Sequence, residues 1–255
     1  MRGLLDRALI APAVAILGIC CAIAGCGGGA DGGWPSPAQL RSETPAPIRQ
    51  GWPSGPVSGS AAPVVMFVGD SFTVGSGPVP TWRTYAAESA RLLGWQPVIA
   101  GAGGTGYLNK GRVGRTFQQS FEAELAWRPA PDLLIISGGH NDCRWSTASV
   151  RRAAENLISE VRTQWPRTRI LMIGPIWLHD TPRKAYLVRD ALSSLARQET
   201  IPFLDPLHEH RLTGTPRVQM LPDGIHPTAE GHFHLARWLT DAIGRLARGE
   251  DHQGP

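Results

Sequence analysis

Val64-Val65-Met66-Phe67-Val68 is an uninterrupted apolar run that stops at Gly69. Four more follow along the chain: Pro97-Val98-Ile99-Ala100, Leu133-Leu134-Ile135-Ile136, Ile170-Leu171-Met172-Ile173 and Ile201-Pro202-Phe203-Leu204. A strand with one wet face alternates apolar and polar residues. A branched run without alternation is that of a strand buried on both faces. The gaps carry longer amphipathic stretches, from Trp82 to Leu93, Thr116 to Trp127, Ser146 to Trp165, Pro182 to Gln198 and Thr228 to Leu246, which read as helices. Ser146 and Thr228 are expected to cap theirs, and Pro182 to stand in a first turn. Strand and helix in repeated alternation predict a parallel sheet covered by helices on both faces. In open sheets of this kind the ligand site lies beyond the carboxyl ends of the strands.

Everything before Val64 reads differently. Arg2 and Arg7 precede an apolar run from Ala8 to Ala24, which ends in Ile23-Ala24-Gly25-Cys26. A branched residue, two small residues and a Cys resemble the bacterial lipobox. That resemblance implies a lipoprotein signal peptide over 1–25, cleavage before Cys26 and a diacylglycerol on its thiol. The small residues suit a peptidase cleft that must take an extended backbone without bulk. An ordinary secretory signal cut later, or an uncleaved anchor, are the alternatives. Residues 26–62 are rich in Gly, Pro, Ser and Ala and lack apolar periodicity. They read as a flexible tether, with Trp34 and Trp52 as incidental surface aromatics. The expected organisation is completed by a catalytic domain over 63–248 and a flexible tail over 249–255.

Charge excludes little beyond a nucleic-acid partner. The chain has 25 Lys+Arg against 21 Asp+Glu, a net +4; removing Arg2, Arg7 and Asp6 with the signal leaves +3. The Arg residues are dispersed rather than clustered. Of the four Cys, Cys20 and Cys21 fall in the signal, Cys26 is the lipid site and Cys143 stands alone. The mature chain therefore has no pair for an intrachain disulfide.

Three strand ends and one late loop carry unusual residues. The first strand runs into Gly69-Asp70-Ser71-Phe72, where a Ser before a helical turn can project its hydroxyl into the crevice, or simply cap a helix with Asp70. The second runs into Gly101-Ala102-Gly103-Gly104-Thr105-Gly106-Tyr107, where a residue without a side chain lets a backbone N–H approach a substrate oxygen. Gly101, Gly103 and Gly106 also satisfy the Gly-x-Gly-x-x-Gly of dinucleotide sites. However, no helix starts at the last Gly and no acidic residue ends the next strand, so the nucleotide reading fails on context. The third runs into Ser137-Gly138-Gly139-His140-Asn141-Asp142, offering the Asn141 side-chain amide; His140 reads as a hydrogen-bonding loop residue outside any triad. Near the carboxyl end, Asp223-Gly224-Ile225-His226 can turn both side chains to one side, so that the carboxylate holds the imidazole Nδ1–H and leaves Nε2 as a base.

In that order and spacing these blocks resemble the SGNH hydrolases, the GDSL esterase and lipase family, over about Val64 to Leu246. The resemblance implies a flavodoxin-like three-layer α/β/α sandwich with a five-stranded parallel sheet, and ester hydrolysis through an acyl-enzyme. It implies Ser71 as nucleophile, His226 as base and Asp223 as the third triad member. The implied oxyanion-hole donors are the Ser71 N–H, the Gly104 N–H (with Gly103 as rival) and the Asn141 amide. No metal or organic cofactor is implied. Two positions depart from the family pattern: Phe72 stands where the motif has Leu, and Ala100 (or Ile99) where many relatives have Asn.

Other polar clusters have plainer readings. His208-Glu209-His210 lacks a third ligand and reads as surface charge. His232 and His234, two apart on a helix, do not share a face. Cys143 reads as a small buried residue. Trp82, Trp95, Trp127, Trp145, Trp165, Trp177 and Trp238 are expected mostly in the core, with Trp145 or Trp177 able to line an acyl or sugar pocket. The functional expectation is a serine ester hydrolase, extracytoplasmic and held on the cell membrane by lipid on Cys26, whose substrate is a lipid, small or acetylated-glycan ester. The alternatives are an acyltransferase to a cell-wall glycan with the same triad, and a non-catalytic ligand-binding lipoprotein.

Overall fold

The computed structural model describes residues 52–53 and 61–250. The signal-peptide and lipid-site assignments, most of the tether and the last residues of the tail lie outside the described residues. Among those described, no helix is long and apolar enough to cross a membrane.

The strands are β1 (Val64–Gly69), β2 (Gln96–Gly101), β3 (Leu133–Ser137), β4 (Arg169–Ile173) and β5 (Phe203–Leu204). They form one parallel sheet in the order β2-β1-β3-β4-β5, the doubly wound topology that the alternation predicts. Its register aligns Gly69 with Gly101 and Ser137, so three strand ends open side by side. The central strands are buried throughout or nearly so, as expected from runs without alternation. The edge strands are not: β2 and β5 are partly exposed. Pro97 is tolerated in β2 because an edge strand leaves one row of N–H groups unpaired. The last strand is two residues rather than the four expected from Ile201 to Leu204.

The helices are α1 (Ser71–Val74), α2 (Tyr85–Leu93), α3 (Phe117–Ser120), α4 (Thr147–Gln164), α5 (Arg183–Gln198), α6 (His210–Thr213) and α7 (Ala229–Ala247). Successive strand residues point to opposite faces, which makes two cores. On one face Val65, Phe67, Leu133, Ile135, Leu171 and Ile173 pack with Tyr85 and Ala86 of α2 and Leu235 and Leu239 of α7. On the other, Met66, Val68, Leu134, Ile136 and Met172 pack with Phe117 of α3, Leu157 of α4 and Leu192 of α5. The result is the three-layer α/β/α sandwich.

Local signals hold with adjustments. Ser146 and Thr228 cap α4 and α7, accepting from the N–H of Ser149 and Gly231. Pro182 is the residue before α5 rather than inside its first turn. The Trp82–Leu93 stretch is split: a 3₁₀ turn over Thr81–Arg83 gives way at extended Thr84 to α2. The Thr116–Trp127 stretch starts with a Thr116–Gln119 capping box and continues past α3 as a π-helical turn over Phe121–Leu125. Trp95 and Trp165 are buried, but Trp82 and Trp127 lie 71% and 68% exposed, against the expectation of core packing.

Trp52 also departs from expectation. It packs against the α2/α7 core, and the buried carbonyl of its neighbour Pro53 accepts from Trp95 Nε1 at 2.7 Å. An aromatic surface and a buried indole donor are enough to hold these two residues against the domain.

Candidate active site

Gly69 closes β1 and the chain turns at once into α1. Asp70 occupies the N-cap, its Oδ1 accepting from Phe72 N–H at 3.0 Å, which makes Ser71 the first helical residue. Both readings of Gly-Asp-Ser therefore hold: Asp70 caps the helix, and Ser71 is free to direct its hydroxyl elsewhere. Ser71 Oγ lies 2.8 Å from His226 Nε2, on a loop 155 residues away. His226 Nδ1 lies 2.7 Å from Asp223 Oδ2. Because a carboxylate accepts, Nδ1 carries the proton and Nε2 presents its lone pair to the Ser71 hydroxyl.

The turn that holds Asp223 and His226 is tight. Asp223 Oδ1 accepts from Ile225 and His226 N–H at 2.9 and 3.0 Å, and Leu221 N–H bonds the His226 carbonyl at 2.7 Å. Partial burial pushes the Asp223 carboxyl up. The His226 ring and the two backbone N–H groups outweigh this and hold it at about 2.

The loop after β2 owes its glycines to close packing. A Cβ on Gly101, at φ +116°, would stand 1.9 Å from the Gly69 carbonyl oxygen. One on Gly106 would stand 2.3 Å from Asp142 Oδ2. The fully buried Asp142 carboxylate accepts from three successive N–H groups, Tyr107 and Leu108 at 2.9 Å and Asn109 at 3.0 Å. The Asn109 amide in turn donates to the Gly104 carbonyl and takes a bond from Arg144. The pattern that imitates a dinucleotide fingerprint is thus the packing of one loop against two others.

This loop brings Gly103 beside the serine: a Cβ there would lie 3.8 Å from Ser71 Cβ. Gly104 follows at φ +77°. Among the described residues neither Gly103 nor Gly104 N–H has an acceptor, so both candidate donors stay available. Asn141 Nδ2 donates to the Thr105 carbonyl at 2.9 Å and lies 3.5 Å from Asp70 Oδ2. The second contact is too long to hold a hydrogen strongly.

Several neighbours were not legible as such in the sequence. Burial pushes the Asp70 carboxyl up to about 7, against the Phe72 N–H and aided by the nearby Asp142. His232 is completely buried beside Tyr85 and its Nδ1 accepts the Tyr85 N–H at 3.1 Å. Burial lowers it to about 3, so it is a neutral structural residue fixing the start of α2. The adjacent Asn-Asp pair at 141–142 was the available signal for the Asp142 clamp; nothing marked His232. Cys143 is half-buried and burial raises its thiol to about 11, so it stays protonated at neutral pH. Trp145 is 44% exposed, with Arg144 over its ring. A cavity of about 450 Å³ lies at the amino ends of β4 and β5, lined by Trp52, Ile170 and Pro202 among others, remote from Ser71.

The five-stranded parallel sheet with helices on both faces matches the α/β fold of the SGNH hydrolases. Residues 67–233 match the GDSL-like lipase/acylhydrolase family, and the chain belongs to that family of esterases. In structure it is similar to a family two carbohydrate esterase from Clostridium thermocellum solved with cellohexaose (21% identity, 76% of this chain and 67% of that one, TM-score 0.60). It is also similar to the M. smegmatis aryl esterase (21%, 72% and 100%, TM-score 0.56). A third is a carbohydrate acetylesterase family member from Sinorhizobium meliloti (20%, 73% and 99%, TM-score 0.57). No curated protein matches the chain in sequence.

Proposed function

We propose that the chain is a serine ester hydrolase that cleaves a carboxylic ester through an acyl-enzyme at Ser71. The observation that carries this reading is the unbroken chain from Asp223 through His226 to Ser71, at 2.7 and 2.8 Å. A serine hydroxyl is a weak nucleophile until a base takes its proton during attack. His226 Nε2 takes it, and returns it to the leaving alcohol. Asp223 keeps the productive tautomer and stabilises the imidazolium. The tetrahedral oxyanion sits between the Ser71 N–H, Gly104 N–H (or Gly103) and Asn141 Nδ2. Water, activated by the same His226, then releases the acid. Similarity to carbohydrate and aryl esterases favours short acyl groups on glycan or small alcohols as substrates.

In this reading the enzyme is extracytoplasmic and held on the cell membrane by lipid on Cys26, as the Ile23-Ala24-Gly25-Cys26 motif suggests. Ser71→Ala should abolish p-nitrophenyl acetate hydrolysis with an unchanged melting curve, and a fluorophosphonate probe should label the parent chain at Ser71. Turnover by Ser71→Ala at the parent rate would refute the assignment. For the anchor, Cys26→Ala should move the protein from the membrane to the soluble fraction of a bacterial host; retention in the membrane would argue for an uncleaved span.

A further inference from the structure

His140 immediately precedes Asn141 but has no part in the proposed triad. Its ring is fixed on two sides. Nδ1 lies 2.9 Å from the Ile176 carbonyl oxygen, which only accepts, so Nδ1 must carry the proton. The ring is stacked on Trp177, centroids 3.8 Å apart and planes 16° apart. Phe72, the residue after Ser71, packs against His140 at 5.4 Å and against His226 at 5.5 Å. One aromatic ring therefore separates this imidazole from the one on the serine. Burial, aided by His226, keeps His140 below the usual imidazole range and so neutral at pH 7. What remains is Nε2, a lone pair with no partner among the described residues, on a partly buried ring that Phe72 separates from His226.

We propose that His140 is a substrate-positioning residue whose Nε2 accepts a hydrogen bond from a free hydroxyl next to the scissile ester, so that the site prefers esters of polyols or sugars over esters of simple alcohols. This deepens the esterase reading and rests on it. A neutral acceptor locked by a carbonyl on one side and an indole on the other recognises a hydroxyl at little entropic cost. It gives no help to an ester that lacks one. Trp177, half-buried under the ring, holds the orientation.

The matched substrates are glycerol monoacetate and propyl acetate, which differ in their hydroxyl groups, with acetate release as readout on the full chain. The expected result is a higher kcat/KM for glycerol monoacetate. In His140→Phe, which keeps a ring on Trp177 but removes the acceptor, that preference should shrink about fivefold, mostly through KM. An unchanged far-ultraviolet circular dichroism spectrum and melting curve serve as the check of folding. His140→Gln, which restores an acceptor, should recover part of the preference. An unchanged ratio in His140→Phe, or no preference in the parent chain, overturns the proposal while leaving the esterase reading standing. A parent chain inactive on these two esters and on p-nitrophenyl acetate overturns the esterase reading, and this inference with it.

Discussion

The carboxylate of Asp142 fills the space that a side chain at position 106 would need, its Oδ2 standing 2.3 Å from where a Gly106 Cβ would be. The buried carboxylate collects three N–H groups from the next three residues of that loop. The turn after β2, with Gly103 and Gly104, is thereby tied to the turn after β3, with Asn141. The glycine and Asn141 candidates for the oxyanion hole follow two different strands, yet they are held as one unit by a residue that the proposed chemistry does not use.

Gly106→Ala should therefore act at a distance. The added methyl must push the carboxylate off its donors or lift the loop, and buried N–H groups left unpaired cost about 1–3 kcal/mol each. The expected outcome is a melting temperature lower by several degrees and a kcat at least about tenfold lower on p-nitrophenyl acetate. Asp142→Asn, nearly isosteric, should show the same trend because one acceptor becomes a donor facing an N–H. A Gly106→Ala chain with parental melting and turnover would break the link between clamp and site.

Asn141→Ala tests the oxyanion donor itself. Removing one such donor typically lowers kcat by about 10²–10³. The substrate carbonyl gains little from it in the ground state, so KM should move much less. A raised KM with unchanged kcat would mean that Asn141 only positions the substrate.

Asp223→Asn keeps the shape of the turn and removes the charge beside His226. The fall in kcat should be smaller than the roughly 10⁴ seen for a buried triad carboxylate, since the Asp223 side chain is 43% exposed. The acid limit follows from the same bond. Partial burial raises this carboxyl, but its bonds with His226 and Ile225 win and hold it at about 2. The ionic contact is complete above the ordinary carboxylate range and fades only as pH falls through about 2. A kcat at the parent level in Asp223→Asn would contradict the assignment.

Asp70 has the opposite sign. Burial raises its carboxyl to about 7, so the folded chain holds this proton where the unfolded chain has released it. Stability from this group is full below the ordinary carboxylate value of about 4 and is lost as pH rises to about 7. Asp70→Asn keeps the cap on Phe72 N–H and removes the titration. Melting temperatures between pH 4 and 7 should decline less steeply than in the parent, with the remaining slope owed in part to Asp142, whose carboxyl burial also raises. Parallel profiles would exclude a raised Asp70.

The sheet was readable because burial on both faces leaves a mark in the sequence: no alternation, then Gly or Ser at the strand end. The triad candidates were readable because their residue types stand at those ends and in one late loop. The clamp was less so. Asp142 follows a strand much as Asn141 does, and only its burial against Tyr107, Leu108 and Asn109 separates a structural carboxylate from a reactive one. His140 and His232 also look alike in sequence. The structure buries His232 completely against Tyr85, its Nε2 unpartnered in the core, and leaves His140 partly exposed, a difference set by residues 147 and 36 positions away. Edge strands misled for the same reason: what covers a strand is decided by its neighbours.

Trp95 and Pro53 supply the last test. Trp95 lies just before β2, at the amino ends of the strands, whereas Ser71 follows the carboxyl end of β1. Its indole donates to the buried Pro53 carbonyl at 2.7 Å, 42 residues back in the chain. Trp95→Phe keeps most of the apolar volume and removes the donor, leaving that carbonyl unpaired at about 1–3 kcal/mol. For a domain of this size that is a fall of roughly 2–4 °C in melting temperature per kcal/mol. Turnover on p-nitrophenyl acetate should stay within about twofold of the parent, because no residue of the site touches this corner. An unchanged melting temperature would show that the Trp52–Pro53 contact adds nothing to the domain. A matching loss of kcat would show that the two ends of the sheet are coupled.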